Sequence, residues 1–161
     1  MADRASASII IGGTIPEALI PDLLNAIETN DGRSDWGGEP VTRADIEDGA
    51  TLTVYADDLA GGIFDTLEAT CEAHGIAFVR DSASCGGAFG PERVIFTGAG
   101  SSHAYDMTEC GDIALTHTAF RGMASLDEIS AWFAAATFSP PPVHILADSD
   151  GAPRSEISHG R

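Results

Sequence analysis

The chain has 161 residues, of which 43% are hydrophobic, and its 25 acidic residues against eight arginines give a formal net charge of −17. This length and apolar content suit one folded domain and exclude a disordered chain. The charge argues against direct binding to nucleic acid or to an anionic membrane, and no apolar run is long enough to span a bilayer.

The sequence begins with patterns that predict a strand followed by a helix. The isoleucine-rich run at 7–12 is typical of a strand. Thr14 and Glu17 have the spacing of a capping box, and apolar residues at helical spacing predict a helix over 15–29. Pro21 lacks the N–H that a helix interior needs, so the firm part of this helix is expected from that residue onward.

A long acidic connection over 30–50 separates this helix from the next predicted strand, which covers 51–55 and alternates in polarity. Asp57 or Asp58 is then expected to cap a second helix over 60–74. The apolar and acidic residues of that helix fall on opposite faces, which indicates that one face packs on a core.

The second half of the chain predicts antiparallel hairpins and one further helix. Strands are expected over 76–80, 92–97, 103–108, 113–120 and 143–146. Ser125 and Glu128 repeat the capping-box spacing, and they open a predicted helix over 125–137 that the prolines from Pro140 onward end.

These elements predict an α+β fold with an α/β-type start: a single mixed β-sheet with about three helices packed mainly on one face. The initial order of strand, helix and strand favours a parallel pair of strands at the beginning. We expect residues 1–147 to form one acidic globular domain and residues 148–161 to form a flexible C-terminal tail.

The expected compartment is the cytoplasm, because no run in the N-terminal region has the length of a signal-peptide core. The composition is rich in Ala, Gly and Asp and contains no Lys or Gln, which favours a bacterial source.

The three cysteines raise the question of a metal site. Cys71 and His74 have a spacing that can hold zinc from one helix face. Further candidate ligands are Cys85, His103, Cys110 and His117. Cys71 also falls on the apolar face of its predicted helix, however, where a free cysteine behaves as a small hydrophobic residue. We therefore predict a buried, unligated Cys71, and we expect no metal and no cofactor.

Several residues are of types that catalysis uses. They are the run Ser101-Ser102-His103 with Asp106, Cys85 before two glycines, and the pair Asp57-Asp58. Each has a simpler interpretation as a turn, a loop or a helix cap, since no spacing matches a known catalytic motif. We expect no catalytic residue, and binding rather than enzymatic activity.

The acidic residues are unevenly distributed along the sequence. From Glu28 to Glu72, twelve acidic residues face only Arg33 and Arg43, so this segment carries −10 of the net charge. Clustered charge on a connection with one large aromatic residue is typical of an interaction surface. The predicted partner-binding residues are Asp31, Asp35, Trp36, Glu39, Asp45, Glu47 and Asp48. Trp36 is expected either to anchor the partner or to fold back on the core.

The function favoured by the sequence is that of a non-enzymatic acidic binding or inhibitor protein that engages a basic surface of a protein partner. By analogy of charge alone, the partner belongs to the nucleic-acid-binding proteins or complexes that anti-CRISPR and DNA-mimic proteins block. Two alternatives stay open: a small enzyme that uses cysteine or paired carboxylates, and a structural or regulatory subunit whose charge serves solubility.

Overall fold

Six strands form one sheet in the computed structural model, which describes residues 3–147 of the chain. The predicted tail at 148–161 lies outside the described residues. The strands are β1 (Arg4–Pro16), β2 (Leu52–Ala60), β3 (Ala77–Ser82), β4 (Glu92–Phe96), β5 (His103–Asp106) and β6 (Val143–Leu146). Their order is β2-β1-β3-β4-β5, and β6 pairs with the last residues of β1.

Within residues 3–147, four α-helices accompany the sheet: α1 (Ile20–Thr29), α2 (Asp65–His74), α3 (His117–Arg121) and α4 (Leu126–Ala136). The predicted α+β fold is confirmed, and the three longer helices lie close to their predicted positions. No helix within residues 3–147 combines the length and the apolar character that crossing a membrane requires.

The sheet is mixed, but the predicted parallel start is wrong. β1 runs antiparallel to both β2 and β3, and the parallel pair is the one between β1 and β6. The connection over 30–51 explains why β2 is antiparallel to β1, because it runs along the sheet from one end to the other before β2 begins. Arg33 bridges to Tyr55 in β2, whereas the Gly49 N–H donates to the carbonyl of Val143, the first residue of β6. The chain therefore enters β2 from the opposite direction.

The first two predicted helix caps are also wrong, because both strands continue further than their hydrophobic runs suggest. Thr14 lies in β1, where it pairs with β6. Asp57 and Asp58 lie in β2 and stand together opposite Ser6, which makes a β-bulge with both aspartates exposed. Helix α2 begins only at Asp65.

Two side chains replace the missing cap of α2. The Asn30 Oδ1 accepts a hydrogen bond from the Leu67 N–H at 2.9 Å, and the Glu68 Oε1 accepts one from the Phe64 N–H at 2.9 Å. These contacts satisfy amide groups that the first turn of any helix leaves without partners. The capping pattern before α4 behaves as predicted, since the Ser125 Oγ accepts from the Glu128 N–H at 3.2 Å.

The predicted strand over 113–120 is wrong as well. Ile113 makes a single bridge to Met107, and the chain then turns into the short helix α3. The Thr116 Oγ1 accepts from the Ala119 N–H and so starts this helix. The β-branched and aromatic residues of this stretch favour a strand, but the local cap decides the structure.

Helices lie on both faces of the sheet. Helices α1 and α2 cover the first face, and their buried residues join one core with alternate residues of β1, β2 and β3. Helix α4 covers part of the second face, where Trp132 and Ala136 pack with Val79, Ile95 and Tyr105.

Gly12 marks the place where β6 reaches β1. A Cβ atom at this position would lie 1.8 Å from the carbonyl oxygen of Pro141, so only glycine allows the two segments to approach. The Gly13 N–H donates to the same carbonyl at 3.1 Å.

Candidate functional site

All seven predicted partner-binding residues lie on the connection between α1 and β2. All six carboxylates are exposed. The seven residues are spread along the connection, which passes from Arg33 beside Tyr55 of β2 to Asp48 beside Ile145 of β6. The structure separates them into residues whose side chains are free and residues that hold the connection in place.

Trp36 sits at the tip of a small hairpin that the connection forms. Arg33 bridges to Pro40, and the Gly38 N–H donates to the Asp35 carbonyl at 2.9 Å. The indole packs against Tyr55 with the ring centroids 5.0 Å apart, yet half of Trp36 stays exposed. Trp36 thus folds back on the sheet in part and still exposes a large apolar surface, while its role as an anchor for a partner stays a prediction.

Two of the predicted acidic residues have structural contacts. The Asp45 Oδ2 accepts hydrogen bonds from the Thr42 N–H and Oγ1, at 2.7 and 2.8 Å, and these bonds lower the pKa of Asp45. The Asp48 Oδ1 accepts from the Ile145 N–H at 2.8 Å and lies 3.4 Å from the His144 Nδ1. Asp45 and Asp48 therefore fasten the connection, and changing them would alter the fold as well as the charge.

The remaining acidic residues of the set differ in the contacts that their side chains make. Asp31, at a φ of 52°, forms an ion pair with Arg33. The Asp35 Oδ1 accepts from the Trp36 N–H at 2.8 Å. The side chains of Glu39 and Glu47 make no hydrogen bond or ion pair with any described residue.

Most arginines of the described chain are already paired with carboxylates. The pairs are Arg4–Asp58, Arg33–Asp31, Arg43–Glu17, Arg80 with Glu68 and Glu92, and Arg93–Asp81. Most of the positive charge is thus neutralised by ion pairs within the molecule, and the surplus carboxylates face solvent. Such a surface attracts a basic partner over distances up to about 10 Å at 0.1 M salt.

Asp58, one of the two candidate catalytic carboxylates, lies beside a cavity. The cavity has a volume of about 450 Å³ and runs between the ends of α1 and α2 and the bulge in β2. Asp58 lines it, but its Oδ1 lies 2.8 Å from the Arg4 Nε, so the charge of Asp58 is paired. No group of three His, Cys, Asp or Glu side chains within residues 3–147 has the geometry of a metal site.

Cys71 and His74, the possible zinc ligands on α2, differ in burial. Cys71 lies in the core with Leu67, and its predicted burial is confirmed, whereas His74 is exposed at the end of the helix. Burial, with the nearby Glu68 and Glu72, raises the pKa of the Cys71 thiol to about 12. The thiol therefore stays protonated near neutral pH, a form that neither binds zinc nor attacks a substrate.

The serine and histidine candidates also lie apart from a catalytic arrangement. Ser101 and Ser102 belong to the loop before β5, and His103 and Asp106 are exposed at the two ends of that strand. Within the described residues, neither serine hydroxyl is hydrogen-bonded to the imidazole of His103.

Comparisons with protein-family models, with curated proteins and with solved structures find no match.

The sequence did not reveal the residues that surround Trp36. A cavity of about 280 Å³ lies on the second face of the sheet, with Trp36 at one side and the hairpin over 107–112 at the other. Alternation along the predicted strand at 51–55 could have placed Tyr55 on this face. Nothing in the sequence could have placed Glu109 near Trp36, because they come together only through the pairing of five strands.

Proposed function

We propose that the protein is a non-enzymatic acidic binding protein, which engages a basic surface of a protein partner and blocks or occupies it. The observation that carries the proposal is the half-exposed Trp36, which is held on Tyr55 and lies on an acidic connection. On this connection the side chains of Glu39 and Glu47 are exposed and make no hydrogen bond or ion pair with any described residue. An aromatic anchor within a charged rim is the usual composition of a protein interface.

The chemistry of the surface supports a particular class of partner. A protein that binds nucleic acid presents arginine and lysine side chains spaced to meet phosphates, and carboxylates can meet the same side chains. The proposed partner is therefore a basic, nucleic-acid-binding protein or complex, in the cytoplasm of a bacterium. Neither nucleic acid nor a membrane is a direct ligand in this proposal.

Two variants with equal loss of charge test the proposal. The acidic triple variant carries Asp35→Asn, Glu39→Gln and Glu47→Gln on the connection. The control triple variant carries Asp3→Asn, Asp22→Asn and Asp127→Asn, which are exposed elsewhere. Each protein is immobilised and used to capture proteins from an extract of the source cells at low and at moderate salt.

We expect the unaltered protein and the control triple variant to retain the same basic protein, and the acidic triple variant to lose it. Moderate salt should weaken retention because it screens the surface charges. Equal retention by all three proteins, independent of salt, would contradict the proposal and would favour a role of the charge in solubility alone.

A further inference from the structure

One row of side chains crosses the second face of the sheet and has aromatic residues at both ends. The strand pairing aligns Tyr55, Ser8, Asp81, Arg93 and Tyr105 from β2 to β5. Trp36 packs on Tyr55 at one end, and Trp132 packs on Tyr105 at the other, with ring centroids 5.0 and 5.2 Å apart. Ser8, between them, is small and leaves a depression in the row.

The cavity beside Trp36 lies over this depression. Its floor is made by Ser6 and Ser8, and its walls are Trp36 and the hairpin that includes Thr108 and Glu109. Two strand spacings separate Tyr55 from Asp81, which corresponds to roughly 10 Å. A volume of about 280 Å³ in such a depression suits one long side chain rather than a whole helix.

The charge of the cavity comes from one carboxylate. Asp81 also lines it, but both oxygens of Asp81 accept hydrogen bonds from Arg93, each at 2.7 Å. Glu109 has no basic partner among the described residues. Its Oε2 accepts from the Ser84 Oγ at 3.0 Å, which orients the carboxylate and leaves Oε1 without a donor. No Arg or His side chain is among the residues that line the cavity.

An exposed indole face and an unneutralised carboxylate together favour a planar cation. A guanidinium group can stack on an indole ring and present its N–H groups in a fork to a carboxylate, which a compact ammonium group cannot do equally well. We infer that the cavity between Trp36 and Glu109 receives the guanidinium group of an arginine side chain on the basic partner. This inference rests on the proposed function and names the contact by which the partner is recognised.

The probe for this site is a short peptide with arginine at alternate positions, compared with the same peptide in which neutral citrulline replaces each arginine. Each peptide is titrated into the protein while the two indole N–H signals, from Trp36 and Trp132, are followed by NMR. The Trp36 signal is identified by its loss in Trp36→Phe. Two carboxylates of the same hairpin are then compared, Glu109→Gln and Asp112→Asn, since Asp112 is exposed and does not line the cavity.

We expect the arginine peptide to shift the Trp36 signal saturably and to leave the Trp132 signal in place, and we expect no saturable shift with citrulline. Glu109→Gln should raise Kd about tenfold, whereas Asp112→Asn should change it less than about twofold. Equal effects of the two variants, or equal binding of the citrulline peptide, would overturn the arginine site. The proposed function would still hold after such a result if the acidic triple variant loses the partner in the capture experiment. Failure of the arginine site can therefore be distinguished from failure of the proposed function.

Discussion

Arg80 is the charged side chain most fully enclosed in the described chain, with 2% of its surface exposed on β3. Its Nη2 donates to the Glu92 Oε1 at 2.9 Å and its Nη1 to the Gly62 carbonyl at 3.1 Å. Its Nε lies 2.8 Å from the Glu68 Oε1, but the N–H direction makes this an electrostatic contact rather than a hydrogen bond. Arg80 therefore ties α2 and β4 to the middle of the sheet.

Glu68 responds to this burial in a way that pH can reveal. Burial raises the pKa of Glu68, and the charge of Arg80 offsets part of that rise. A raised pKa in the folded state means that the stabilising contribution of Glu68 is full below its ordinary pKa of 4.5 and is lost as pH rises through the folded value. The unfolding free energy of the unaltered protein minus that of Glu68→Gln should therefore fall as pH rises above 4.5.

Urea denaturation at a series of pH values measures this difference. Glu72→Gln is the control, because it removes the same charge at an exposed position one turn along the same helix. A flat difference for Glu68→Gln would show that the pairing with Arg80 fully offsets the effect of burial.

The three cysteines should differ sharply in reactivity. A thiol of pKa about 12 carries roughly one part in 10⁴ thiolate at pH 8, and Cys71 is also buried. A thiol reagent should therefore modify Cys110 first, Cys85 more slowly, and Cys71 only after unfolding. Mass spectrometry of the modified peptides follows each site, and Cys110→Ser should remove the fastest phase. Rapid native-state modification of Cys71 would contradict its placement in the core.

The sequence was sufficient to predict the burial of Cys71 but not that of Arg80. Cys71 repeats with Leu67 at helical spacing, so its place on the apolar face follows from local geometry. Arg80 stands at the end of a predicted strand, where a charged residue normally faces solvent. Its burial depends on Glu68 and Glu92, which come from two other elements.

Among the elements, α4 stands out because it has so little buried surface. Ala136 is its only fully buried residue, and Trp132 makes the main aromatic contact with the sheet, while Leu126 is 80% exposed. Trp132→Ala should reduce the unfolding free energy by roughly 2–4 kcal/mol, less than a fully buried aromatic residue contributes. Leu126→Ala should change it by less than about 0.5 kcal/mol.

Hydrogen exchange can locate the effect of Trp132→Ala. The amides of α4 should lose protection while those of β1 and β3 keep most of theirs, because the two helices on the first face do not depend on α4. Equal loss of protection throughout the sheet would show that α4 is an integral part of the core.

Repeated local patterns in the sequence predicted most of the helices and strands. Apolar stripes located α1, α2 and α4, and runs of strand-forming residues located all six strands, four of them closely. The predicted bounds of β1 and β2 were too short. The direction of β2 was not predictable, because it depends on the path of the connection over 30–51. That path is fixed by Arg33, Asp48 and Gly49, each bonded to a residue far along the chain.

The whole molecule carries a charge that should oppose its own folding. A net charge of −17 makes the compact state repel itself, and salt screens that repulsion. The acidic triple variant should therefore be slightly more stable than the unaltered protein at low salt. The control triple variant should gain less, because Asp22 and Asp127 lie in the first turns of α1 and α4, where a negative charge is favourable. A gain of about 1 kcal/mol would raise Tm by roughly 2–4 °C in a protein of this size.

Stability and association together separate the possible roles of the acidic surface. If the carboxylates of the connection recruit a basic partner, the acidic triple variant should gain stability yet associate more slowly, by about two- to tenfold at low salt, with a weaker dependence on salt. The control triple variant should gain less stability and associate at nearly the normal rate.

Trp36→Ala should change the other rate constant. An anchoring aromatic residue acts after contact is made, so its removal should speed dissociation about tenfold and leave association nearly unchanged. Surface plasmon resonance with the captured partner gives both rates for the four proteins. Equal association rates for both triple variants would contradict this role of the connection. Loss of its charge would then improve stability with no loss of binding, and its acidity would serve solubility only.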